Sequence, residues 1–62
     1  MIGDKLRKAR QERGWSQQIL SDFSGVAQAS IYKYECNLVS PNVRNLERLL
    51  KAMDYKLEVV KK

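Results

Sequence analysis

The sequence predicts an all-α domain, a compact bundle of four to five short helices, and three observations carry that expectation. Apolar residues come in short groups at three-to-four-residue spacing with polar connections between them. Ser16 and Gly25 bracket one such group with a start signal and a stop signal. At 62 residues there is room for one domain. A chain this small buries only about 60% of the surface it exposes when unfolded, so its core is marginal and a partner subunit would help it.

The clearest elements lie in SQQILSDFSGVAQASIYKYE, residues 16–35, which reads as two short helices hinged at Gly25. The Ser16 hydroxyl suits an N-cap, because it can accept from an orphan backbone N–H of the first turn. Trp15 and Leu20 occupy the two positions of a hydrophobic staple. Ile19, Leu20 and Phe23 then supply an inward face, and Gly25 stands where a positive φ ends the helix and turns the chain. After three connecting residues apolar positions resume at Ile31 and Tyr34. That spacing puts Gln28, Ala29, Tyr32, Lys33 and Cys36 together on the opposite side of the second helix, a polar face with no place in a core.

Twelve Lys and Arg against seven Asp and Glu give a net charge of +5 and a pI near 9.7, which calls for an acidic partner. RNA, DNA, an anionic membrane and an acidic protein all satisfy that. A membrane is disfavoured by the lack of a long apolar run, a signal-peptide pattern or a strongly basic amphipathic helix, and the reading is a soluble cytoplasmic protein. No enzyme and no cofactor is expected. The chain has no histidine and one cysteine, with no phosphate-binding glycine loop and no carboxylate pair at a spacing that suggests a shared site. Cys36 has no intrachain partner, and its ordinary reading is a small residue closing a helix.

The spacing of residues 16–35 closely resembles the helix-turn-helix of the Cro and phage-repressor type, the Xre family of prokaryotic DNA-binding proteins. Upstream, IGDKLRKARQERGWSQ is similar to that family's first helix, with Ile2, Leu6 and Ala9 inward. Downstream, Glu35, Asn37 and Ser40-Pro41 match its glutamate, tight turn and loop proline, and residues 42–53 its fourth helix. The likeness covers roughly residues 2 to 55, a far more specific signal than a motif alone. It implies a DNA-binding domain over residues 1–55, a recognition helix over about 27–36, and a sequence-specific transcriptional regulator that occludes a promoter.

By that resemblance the base-reading positions fall on Gln28 and Ala29, then on Tyr32 and Lys33 one turn later. The chemistry suits them. Gln28 can bind adenine N6 and N7, Ala29 can pack on a thymine methyl, and Lys33 can donate to guanine or to a phosphate. Tyr32 could pack on a methyl or sugar, or serve only the fold; for Gln28 the plain alternative is a solvated polar residue. Ser16 and Gln17, at a helix N-terminus, are the first phosphate candidates, joined by Asn37, Ser40, Asn42 and Arg44 around the loop into the fourth helix. Asn37 could equally be a left-handed turn residue and Asn42 a cap. The resemblance makes Arg10 and Glu35 a partly buried ion pair that orients the recognition helix.

Three positions depart from the family pattern. Ala27 stands where a capping serine or threonine is usual, so that cap is missing. Ser21 replaces a common alanine. Residues 56–62, KLEVVKK, alternate and include adjacent β-branched residues, which reads as a short strand or tail. A lone strand needs another subunit to pair with. Leu57, Val59 and Val60 are therefore expected in a homodimer contact across a two-fold, with a palindromic double-stranded operator; an irregular fifth helix or a frayed tail is the alternative. Small Xre-type antitoxins of the HipB kind resemble this pattern, which admits a second role, binding a toxin protein with autoregulatory DNA binding.

Overall fold

The computed structural model describes residues 2–55, which form four helices in chain order: α1 (Ile2–Glu12), α2 (Gln17–Ser24), α3 (Gln28–Glu35) and α4 (Val43–Ala52). α1 packs on α3, and α2 packs on both α3 and α4. Each helix contributes to one core of Leu6, Leu20, Val26, Ile31, Tyr34, Leu49 and Met53, bordered by Ala9, Trp15, Leu46, Leu50 and Ala52. Burying an aliphatic side chain of this size contributes about 1.5–3 kcal/mol. Leu20, Ile31, Leu49 and Met53, the largest of those with no exposed surface to speak of, define the centre.

The stop and start signals work as local chemistry dictates. Ser16 Oγ accepts from Ile19 N at 3.1 Å, and Gly25 closes α2 at φ 75° with its N–H donating to Ser21 O. Asn42 Oδ1 accepts from Asn45 N at 2.7 Å and so caps α4. Ala27 makes no side-chain cap bond at the start of α3. Ser21, on the half-buried side of α2, donates to Val26 O at 2.7 Å and ties the hinge to the helix before it.

α1 begins end-on against the end of α3. Gly3 is buried, and a side chain there would run into Tyr34 O, with Asn37 Oδ1 at 2.5 Å and Glu35 O at 2.9 Å. The Gly3 N–H donates to Asn37 Oδ1 at 3.1 Å. The positive end of one helix thus faces the negative end of another, a favourable dipole arrangement.

Three inward assignments need correction. Ile2 is 40% exposed, Ile19 38% and Phe23 66%. α2 is eight residues long and turns its Gln17–Leu20–Ser21–Ser24 side inward, which leaves Phe23 one position too far round. Its ring stacks instead on Trp15, with centroids 4.9 Å apart. The expected strand or tail at Leu57, Val59 and Val60 lies outside the described residues. No helix among the described residues is long and apolar enough to cross a membrane.

Candidate nucleic-acid interface

α3 divides along its length into two faces. Ile31, Tyr34 and Glu35 are buried, whereas Gln28, Ala29, Tyr32 and Lys33 lie exposed side by side, with Cys36 exposed beyond them. Tyr32 is about half exposed, so its ring belongs to the outward surface rather than to the core.

A run of hydrogen bonds connects that surface to the interior. Gln28 Nε2 donates to Gln17 Oε1 at 2.7 Å. Gln17 Nε2 donates to Glu35 Oε1 at 3.2 Å. The Glu35 carboxylate, 2% exposed, receives Arg10 Nε and Nη2 at 2.8 Å each in a two-pronged pair. Arg10 Nη1 donates to Trp15 O at 2.7 Å. The hydrogen bond to Glu35 raises the Arg10 pKa above its usual range, with burial working the other way. No buried side-chain nitrogen or oxygen among the described residues is left without a partner, so the charge inside this small core is fully compensated.

The arrangement fixes what Gln28 has to offer. One amide hydrogen goes to Gln17; the other and Oε1 remain as an adjacent donor and acceptor, the pattern that matches adenine N7 and N6. Gln17, expected as a phosphate residue, is half-buried and is bonded on both sides. Ser16 is exposed while its hydroxyl caps α2.

Around the connection between α3 and α4, Ser40, Asn42 and Arg44 are exposed. The N–H groups of Val43 and Arg44 in the first turn of α4 have no intrahelical acceptor by helix geometry. Asn37 has a φ of 59°, and its side-chain oxygen holds the start of α1, which gives it the turn role that the sequence left open. Tyr34 has its expected inward place, but its link to Asn45 escaped the sequence reading. Asn45 Nδ2 donates to Tyr34 Oη at 2.9 Å, and the only local hint is the Asn-x-x-Asn spacing from Asn42. Among the described residues no group of three or more His, Cys, Asp or Glu could hold a metal ion.

Comparison with known proteins agrees with this geometry. A family model described as helix-turn-helix matches residues 6–60. The chain is 37% identical over 49 residues to the SPbeta prophage-derived uncharacterized HTH-type transcriptional regulator YonR of Bacillus subtilis, covering 79% of this chain and 45% of that protein. It is 30% identical over 61 residues to the HTH-type transcriptional regulator SinR of Bacillus subtilis, and equally to that of Bacillus licheniformis, covering 97% of this chain and 55% of each relative. The chain thus spans about half the length of the curated relatives it matches. No solved structure matches it.

Proposed function

The chain belongs to the helix-turn-helix family, and on that premise we propose that it is a sequence-specific double-stranded DNA-binding transcriptional regulator whose α3 enters the major groove. The observation that carries the reading is the split of α3: its inner face is locked into the core while Gln28, Ala29, Tyr32 and Lys33 stand exposed together. A groove that admits one helix reads the residues such a helix turns outward. The exposed N-termini of α2 and α4, with Ser16, Gln17, Ser40, Asn42 and Arg44, are the phosphate-binding part of the same proposal. Two copies would sit on a palindrome, a reading that rests on the alternation of residues 56–62. DNA regulators of this kind act in the cytoplasm of a prokaryote, and no catalytic role is assigned.

Two measurements test it. If a pair of copies neutralises about six phosphates, log K for duplex DNA should fall with log salt at a slope near −5; a slope near zero removes the nucleic-acid reading. Selection from randomised duplexes separates the roles of the glutamines. Gln28→Ala should lose roughly 1–3 kcal/mol of discrimination at one base pair per half-site. Gln17→Ala should weaken binding to every sequence and also blunt that same preference, because Gln17 holds Gln28. Unaltered base preferences in both variants would refute the assignment.

A further inference from the structure

Consecutive residues of α3 tie down the start of two different helices. Glu35 receives the side chain of Gln17, the first residue of α2. Tyr34, its neighbour, receives the side chain of Asn45 in the first turn of α4. Both helix starts carry the same second tie, a cap that holds the third backbone N–H: Ser16 for Ile19 and Asn42 for Asn45. Asn45 is therefore bonded twice, backbone to its own cap and side chain to α3.

The second of these ties adds a fixed direction to the shared core packing of α3 and α4. α2 lies against both α3 and α4, whereas α3 and α4 have little close backbone approach of their own. Tyr34 is 7% exposed and sits in the core, where the ring does the filling and phenylalanine would fill as well. The hydroxyl adds a direction: it fixes the first turn of α4 relative to the helix that carries the outward face. Two backbone N–H groups of that turn, those of Val43 and Arg44, lack intrahelical acceptors, and the exposed Arg44 side chain adds positive charge there.

Building on the DNA reading above, we propose that Tyr34 and Asn45 form a positioning pair, which sets the start of α4 as a phosphate clamp at a fixed distance from the base-reading face of α3. Neither residue touches DNA. Their effect falls on backbone contact and leaves base preference alone, the reverse of Gln28.

The test uses the full chain, a duplex that it selects from a randomised library, and a mixed-sequence duplex of equal length. Tyr34→Phe should weaken binding to both duplexes by roughly three- to tenfold, about what one hydrogen bond contributes. It should make the salt dependence shallower by about one unit of slope per copy while the preference for the selected duplex stays unchanged. Asn45→Ala, which keeps the backbone bond to Asn42, should do the same, and the double variant should lose no more than either single one. A lowered thermal midpoint with unchanged salt slope would make the hydroxyl merely structural and overturn the proposal, as would wild-type affinity and slope in both variants. Failure of the unsubstituted chain to bind any duplex would show itself before a variant is made, and would bring down the DNA reading together with this one.

Discussion

At its C-terminal end α3 buries Tyr34 and Glu35, abuts Gly3 of α1, and engages Arg10, Gln17 and Asn45; at its N-terminal end Ala27 forms no cap bond, and Gln28 and Ala29 are exposed. One end of the helix carries the contacts that orient it, and the other opens the exposed face that the proposed function uses, which Tyr32 and Lys33 continue one turn later. The two demands conflict at any single residue, because a side chain fully engaged with its own fold has little left for a ligand. Separating them along eight residues lets the anchored end fix the axis while the other stays available. Gln28, the first residue of α3, meets both demands, held by one hydrogen bond and open at its remaining groups.

The contrast breaks most severely at Glu35. Glu35→Ala strands the nearly buried Arg10 guanidinium, and removing one partner of such a pair costs about 3–5 kcal/mol. A core of this size supplies about that much in total, so the variant should be largely unfolded at 25 °C by circular dichroism. A melting curve like that of the unsubstituted chain would show that the C-terminal end of α3 is not where stability resides.

A smaller break is Gly3→Ala. The added methyl meets two backbone carbonyls and the Asn37 side chain, so α1 must move off the end of α3 at a cost of about 1–3 kcal/mol. For a domain of this length the midpoint should fall by roughly 5–15 °C. An unchanged midpoint would mean that the end-on contact is loose.

The least change comes from strengthening the free end. Ala27→Ser restores an oxygen that can accept from the first turn of α3 and should add about 0.5–1 kcal/mol, raising the midpoint by a few degrees. No gain would indicate that the start of α3 is held by Gln17 and Gln28 rather than by its cap.

Much of this was legible in the sequence because it is local. Caps and stops act over three or four residues, so Ser16, Gly25 and Asn42 declare themselves, and the Ile31–Tyr34 spacing separates the two faces of α3. Ile2, Ile19 and Phe23 were misread for a physical reason: helical spacing says which residues share a side, but a small core has room for only some of them, and the length and tilt of α2 decide which. The ties that organise the site are harder to see. Gly3 to Asn37, Gln17 to Glu35 and Tyr34 to Asn45 join residues 34, 18 and 11 positions apart, and nothing in local periodicity pairs an amide with a distant acceptor. Arg10 and Glu35 were found through family resemblance, not through spacing.

The Trp15–Phe23 stack gives the molecule a built-in optical reporter. Trp15 is the sole tryptophan in the chain; its ring lies against Phe23, the Arg13 guanidinium sits 5.7 Å from its centre, and its carbonyl accepts from Arg10. The indole therefore stands at the junction where α1, α2 and the buried ion pair meet. Its emission reports on that one junction, so the opening of the α1–α2 corner can be followed by light without any label attached to the reading face.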